Sequence, residues 1–231
     1  MDIKDLLTYF NLTRQEAAIY ISLIINGSMT GYEVAKETGI SRSSVYTNLA
    51  NLVEKGAAYL IEGDARHYTP VNIEEFCKNK IRQMEDIKEK LTDNIPCRQE
   101  EKEGYITIKG KNNILDKIKN MIINAKKRIY ISLSGETLNE VLPQLKDAVS
   151  RGLKVVIITK KPFELKDTVI YYADNKKYQI RIIVDSAIVM TGEINDESNS
   201  TCLYSKKQNL VNLFKEALKN EIKLIEITRH Q

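Results

Sequence analysis

The 231-residue chain has no tryptophan, four prolines, two histidines and three cysteines. Each scarcity narrows what it can be. Cys77, Cys97 and Cys202 lie far apart and form no C-x-x-C pair, so neither a disulfide framework nor a redox motif is expected. With only His67 and His230 to add, a zinc site lacks ligands. No metal and no cofactor are expected, and the thiols read as buried or incidental. No window approaches the ~18 consecutive apolar residues of a membrane span. The start, MDIKDLLTYF, has no basic segment before a long apolar stretch and so does not read as a signal peptide. A cytoplasmic protein without a membrane partner is expected. There is also no Walker loop, no G-x-G-x-x-G and no Ser-His-Asp arrangement.

What is present is an ordinary globular composition, 42% hydrophobic and 29% charged. The net charge of +4 suggests a nucleic-acid partner, but its distribution does not. Residues 1–92 carry 11 basic and 13 acidic side chains, and the remainder carries 24 and 18. Any claim on DNA must rest on pattern and position.

The first ninety residues read as short, punctuated helices. Thr13-Arg14-Gln15-Glu16 and Thr30-Gly31-Tyr32-Glu33 fit capping boxes, in which the Thr hydroxyl and the Glu carboxylate satisfy each other's backbone N–H groups. Gly39 is a natural helix stop. Ser41 can cap a third helix over 42–55, ended by Gly56. Three such helices with a short turn between the last two make a helix-turn-helix. Two β-prone runs, 57–61 and 66–70, flank a Gly/Asp turn at 62–65 and read as a hairpin, the wing. A longer helix from Asn72 to about Thr92 carries Ile73, Cys77, Lys80, Met84, Ile87 and Leu91 at alternating spacings of four and three, with Phe76 and Ile81 beside them. That seam suggests a two-stranded coiled coil and hence a homodimer, the alternative being packing against its own domain.

Polar residues 93–103, with Pro96, read as a linker. Beyond them strands and helices alternate. Strands are expected at 105–109, 128–133, 153–159, 179–184, 187–191 and 201–204, and helices at 112–124, 136–150 and 206–227. This order implies an α/β domain with a partly parallel sheet. The expected organisation is a winged-helix domain over 1–71, a dimerisation helix over 72–92, a linker over 93–104 and an α/β domain over 105–231.

On a helical wheel Val45, Leu49, Leu52 and Val53 share the face that packs on the core. The opposite face carries Ser43, Ser44, Thr47 and Asn51, with Tyr46 and Asn48 at its edges and Arg42 in the first turn. Short donors and acceptors, free of carboxylates until Glu54, suit phosphates and base edges in a major groove. The wing adds Arg66, always charged, and His67 as residues that can straddle a phosphate or reach a minor groove, the other reading of His67 being a neutral hydrogen-bonding or packing residue. Double-stranded DNA is the expected partner. The weak charge of this half predicts a shallow salt dependence.

These features together resemble the TrmB-type transcriptional regulators. Leu12-Thr13-Arg14-Gln15-Glu16-Ala17 with Ile19-Tyr20 is similar to their opening helix. Gly39-Ile40-Ser41-Arg42-Ser43-Ser44-Val45-Tyr46 is similar to the start of their recognition helix. Leu52-Val53-Glu54-Lys55-Gly56 is similar to its close, and Arg66-His67-Tyr68-Thr69-Pro70-Val71 to the exit of the wing. The resemblance implies a homodimer controlling promoters. The second half is similar to the family's phospholipase D-like domain, through Arg151-Gly152-Leu153-Lys154-Val155-Val156-Ile157 and through Asp185 in the aspartate slot of H-x-K-x-x-x-x-D. The chain ends soon after its last α/β element, so the further domain of sugar-sensing members is expected to be missing, and sugar sensing is not carried over.

A phospholipase D-type phosphodiesterase is the rival reading. That chemistry needs a His nucleophile and a Lys for phosphate charge. With Asp185 in its slot, the His position holds Tyr178 and the Lys position Ile180. No catalytic residue is therefore assigned, and no enzyme is expected. The remaining readings are a regulator answering a small-molecule effector, a DNA-binding or architectural protein without one, and a winged helix serving protein or RNA. An effector pocket is expected at the strand ends near Ser132, Ser134, Asp185 and Glu193, unless these are satisfied turn residues.

Overall fold

A computed structural model describes residues 2–63, 65–96, 104–173, 178–195 and 199–229. Asp64 of the expected wing turn, residues 97–103 of the expected 93–104 linker, Cys97 among them, and His230 lie outside the described residues, and the first two linker residues, Asp93 and Asn94, belong to the preceding helix. The chain divides into two compact units, Met1–Gln99 and Glu100–Gln231.

The first unit contains α1 (Ile3–Thr8), α2 (Arg14–Asn26), β1 (Met29–Thr30), α3 (Gly31–Thr38), α4 (Arg42–Glu54), β2 (Ala58–Ile61), β3 (His67–Pro70) and α5 (Ile73–Asn94). Both capping boxes form. Thr13 Oγ1 accepts from Glu16 N at 3.2 Å while Thr13 N donates to Glu16 Oε2 at 2.7 Å. Thr30 and Glu33 repeat the exchange. Gly39 ends α3 in the left-handed region at φ 69°. The strands pair antiparallel in the order β1-β3-β2, which makes α3, α4 and the β2–β3 hairpin a winged helix-turn-helix. Tyr20, Leu23, Leu49, Leu52 and Phe76 close the core. Phe76 stacks at a tilt on Tyr20, with ring centroids 5.5 Å apart, and anchors the start of α5 to its own unit. The Tyr20 hydroxyl donates to the Val71 carbonyl at 2.8 Å. Burial, with a contribution from the Cys77 thiolate, pushes its pKa up to about 12.

The second unit runs β4 (Tyr105–Lys109), α6 (Lys111–Ile123), β5 (Arg128–Ser132), α7 (Gly135–Glu140), α8 (Leu142–Ser150), β6 (Lys154–Thr159), β7 (Val169–Tyr172), β8 (Gln179–Val184), β9 (Ile188–Glu193), β10 (Thr201–Ser205) and α9 (Gln208–Arg229). Seven strands form one sheet in the order β4-β10-β9-β8-β5-β6-β7. Only β5–β6 and β6–β7 are parallel among these strands, giving the partly parallel sheet expected from the alternation of strands and helices. One face carries Ile129, Ile131, Val155, Ile157, Ile180 and Ile182, packed with apolar residues of α6, α7 and α8. The other carries Ile158, Ile183 and Val189 beneath Val211, Leu218 and Ile225 of α9.

Two expectations need correction. The single helix over 136–150 is two, α7 and α8, because Pro143 in the first turn of α8 cannot donate to the turn before it. The chain breaks at Val141, φ −113°. The four-residue edge strand β7 was not expected. It pairs with β6 from Val169↔Val156 to Tyr172↔Thr159.

Candidate nucleic-acid interface

The outward surface of the first unit is built on α4. Ser41 caps this helix, its hydroxyl accepting from Ser44 N at 3.4 Å and donating to Ser44 Oγ at 2.8 Å. Arg42, Ser43, Tyr46 and Thr47 are exposed, and Ala50 and Glu54 continue the same face. The Arg42 guanidinium lies over the Tyr32 ring of α3, 4.5 Å from its centroid. This cation–π contact holds the cation at the front of the helix pair. Thr47 Oγ1 donates to the Ser43 carbonyl at 3.1 Å, which leaves its oxygen free to accept.

Three expected contact residues turn away from this face. Ser44 is half-buried in the cap. Asn48 is half-buried, its amide donating to the Ser44 carbonyl at 2.8 Å and to Gln15 Oε1 of α2 at 3.3 Å. Asn51 is also half-buried and lies on the buried Glu16 carboxylate. The wheel placed Asn51 opposite the core, but α2 packs along that side of α4 and takes both asparagine amides.

Glu16 itself is fully buried and accepts from Lys55 Nζ at 2.6 Å. Burial pushes its pKa up, but the Lys55 ammonium, the Thr13 N–H and the Asn51 amide together leave it below the usual carboxylate value. A lysine at the close of α4 is thus spent inside the fold, not offered to a partner.

Tyr46 is fixed from below by a glycine. A Cβ on Gly31 would stand 2.5 Å from the Tyr46 ring, so only glycine at the first residue of α3 lets that ring lie where it does. Sequence reasoning missed Gly31 and Tyr32 as parts of this surface. Their adjacency to α4 follows from the helix crossing, not from spacing along the chain.

In the wing, Arg66 is exposed. His67 is half-buried, its Nδ1 3.0 Å from the Ala65 carbonyl oxygen and its backbone opposite Thr30 of β1. It pairs with Ile61 at the turn end of the hairpin.

The expected seam on α5 divides in two. Phe76 is in the core and Cys77 is half-buried, its thiol pKa raised by burial. From residue 81 to the end of α5 every side chain is exposed, including Ile81, Met84 at 66%, Ile87 at 49% and Leu91 at 52%. Ile73 is exposed as well. Lys80 reaches Gln83 Oε1 at 3.4 Å and lies 5.8 Å from the Phe76 centroid.

The expected effector pocket does not assemble. Asp185, φ 53°, accepts from the backbone N–H groups of Lys126, Lys127 and Arg128 at 2.8, 2.7 and 2.9 Å. Burial raises its pKa, those three donors together lower it by more, and the net shift is downward. It clamps the start of β5. Ser132 is buried at the far end of that strand, where its hydroxyl accepts from Arg181, a residue that also forms two bonds to Glu221. Ser134 caps α7, accepting from Thr137 N at 3.2 Å. Glu193 is exposed at the end of β9. Tyr178 is exposed, and Ile180 is buried in the core of the sheet.

Comparison with known proteins agrees with this architecture. Residues 7–74 match the family described as "Sugar-specific transcriptional regulator TrmB", and residues 104–220 match "Transcriptional regulator TrmB, EBD N-terminal subdomain". The uncharacterized protein YrhO of Bacillus subtilis is 29% identical, over 99% of this chain and 87% of its own length. The HTH-type sugar-sensing transcriptional regulator TrmBL1 of Pyrococcus furiosus is 29% identical over 70% of this chain, which spans about half of that relative (48%). The solved structure of TrmBL2, an archaeal chromatin protein, superposes with a TM-score of 0.50 at 22% identity, covering 96% of this chain and 97% of that one.

Proposed function

Since the chain belongs to the TrmB family and is a DNA-binding transcriptional regulator of that type, we propose that it reads double-stranded DNA as a homodimer through the exposed face of α4. The observation that carries this is the row Arg42, Ser43, Tyr46 and Thr47, presented outward with no carboxylate before Glu54. Arg42 and the short hydroxyls suit base edges and phosphates, and Arg66 of the wing suits the backbone beside them. Ser44 in the helix cap and Asn48 and Asn51 against α2 hold α4 in place behind that row.

The exposed apolar stretch of α5 supports dimerisation. Met84, Ile87 and Leu91 lie on a helix of 22 residues, about 33 Å long by its rise per residue. Only its start is anchored in the unit's own core. A second copy of the helix fits such a seam.

The second unit acts as a regulatory module that answers a small molecule, not as a phosphodiesterase. In place of the ammonium that chemistry needs, it has Ile180, buried in the sheet. Among the described residues no helix is long and apolar enough to cross a membrane. The protein works where the DNA is, in the cytoplasm.

The test is fluorescence anisotropy with duplexes from the upstream region of its own coding sequence and with a scrambled control, at two salt concentrations. Saturable binding that prefers the upstream duplex is expected, weakened about tenfold, or ~1.4 kcal/mol, by Arg42→Ala. Unchanged affinity in both Arg42→Ala and Arg66→Ala would overturn the proposed surface. Equal affinity for the scrambled duplex would favour an architectural role of the kind TrmBL2 has as a chromatin protein.

A further inference from the structure

Between the sheet and α9 in the second unit lies an open cavity of about 600 Å³. That is within the ordinary range for a small-molecule site. Both of its walls set like charges side by side. On the sheet side, Arg128 of β5 and Lys154 of β6 are directly paired in parallel register, and both line the cavity. Like charges placed opposite each other across two strands destabilise the pairing. On the helix side, Lys215, Lys219 and Lys223 recur at intervals of four, and all three line the cavity as well. Like charges four apart on a helix repel in the same way.

Among the described residues none of these five cations has an ion pair. Two carboxylates share the cavity, Glu216 and Glu226, and Glu226 is already engaged by the Tyr171 hydroxyl at 2.8 Å. The fold thus accepts repulsion on both walls of one concavity. Glu216 and Glu226 are interspersed with the lysine row, yet five cations against two carboxylates leave the cavity with an excess of positive charge.

The floor is not polar. Tyr130, Val156 and Ile183 of the sheet and Leu218 and Ile222 of α9 line the cavity together with the cations. A nucleic-acid backbone has no apolar part to place there, and a neutral sugar has no charge to meet five cations. We propose that this cavity binds a small organic phosphate of nucleotide type. Its flat ring lies on the tyrosine and aliphatic floor, and its phosphate oxygens sit between Arg128–Lys154 and the lysine row of α9. Charge-assisted hydrogen bonds to phosphate are among the stronger polar contacts a protein makes. The inference deepens the reading of the second unit as a regulatory module, and it places the effector site on the α9 face of the sheet, away from Ser134 and Glu193.

The test uses the full-length protein without DNA. Trinitrophenyl-ADP serves as a fluorescent reporter, competed by ADP, pyrophosphate and adenosine. Saturable, salt-sensitive binding is expected, with ADP competing at least tenfold better than either pyrophosphate or adenosine. Lys219→Gln with Lys154→Gln should weaken it at least tenfold. The same pair should leave the melting temperature of the ligand-free protein unchanged or higher, because repulsion is removed and no packing is lost. No saturable binding, or binding indifferent to the two substitutions, would overturn the site. Equal competition by pyrophosphate would reduce it to an adventitious ion only and overturn the proposal. Effector control is read separately, by repeating the DNA titration with ADP. Nucleotide binding that leaves DNA affinity unchanged supports the site and rejects ADP as the effector. DNA affinity shifted by a metabolite that does not displace the reporter keeps the regulatory reading and overturns this site.

Discussion

Glu16 shows how one side chain serves two levels of structure. Its sequence context predicts a capping box, and the box forms, but the same carboxylate is also the buried partner of Lys55, 39 residues away. The first role is legible from spacing alone. The second depends on where α4 lands on α2 and has no local signal. Removing one member of such a pair strands a charge, whereas removing both does not. Lys55→Met should therefore destabilise the protein by about 3 kcal/mol. Adding Glu16→Gln to it should recover much of that loss, a coupling that thermal melts of the two single variants and the double variant will measure. The pH dependence has a defined sign. The folded pKa of Glu16 lies below its ordinary value of 4.5, so its contribution is full above that value and is lost as pH falls through the folded one. Between about pH 5 and about pH 3 the wild type should lose stability more steeply than Glu16→Gln. Parallel curves would mean that the pair contributes nothing to the acid response.

At the scale of elements, local chemistry was readable and tertiary choice was not. Caps at Thr13, Thr30 and Ser41, the stop at Gly39 and the run from Ala58 to Pro70 carry their structure in short-range signals, and all of them appear. The strand β7 exists only because β6 offers it an edge, and four residues, Val-Ile-Tyr-Tyr, are too few to announce that. Pairing between Arg128 and Lys154 is likewise a property of parallel register across 26 positions. The expected pocket failed for the same reason, since Asp185 and Ser132 lie at opposite ends of neighbouring strands. The packing of α3 on α4 gives a sharp test of the DNA surface. In Gly31→Ala the new methyl must displace the Tyr46 ring, which is 49% exposed and free to swing outward while the helices stay in place. Alanine at a first helical turn also gains up to about 1 kcal/mol of propensity over glycine. The melting temperature should thus stay near that of the wild type while affinity for the upstream duplex falls several-fold. In a Tyr46→Ala background the same substitution should have no further effect on affinity. A large loss of stability with affinity preserved would mean that the ring is a packing residue and no part of the interface.

At the scale of the molecule, affinity cannot come from bulk charge. Residues 1–92 are slightly acidic, and Lys55 is consumed internally. One copy of the winged helix presents Arg42 and Arg66 at the proposed surface and little net charge around them, so few counterions are released per copy and a single half-site should bind weakly. Two copies double those contacts and require half-sites about one helical turn apart, or a multiple of it. Dimerisation is thus where most of the DNA affinity should reside, and α5 is where it can be broken without touching the reading head. Ile87 and Leu91 are half-exposed and lie outside the cluster that closes the first unit. Replacing both by Glu places like charges across the proposed seam and leaves Phe76, Tyr20 and α4 untouched. Sedimentation velocity should then show a monomer, with far-UV circular dichroism close to that of the wild type. Affinity for a two-site duplex should fall at least tenfold, or ~1.4 kcal/mol, towards that for a single half-site. A monomer that keeps full affinity would mean that one winged helix reads the operator alone. A dimer that persists would move the interface off this seam and into the second unit.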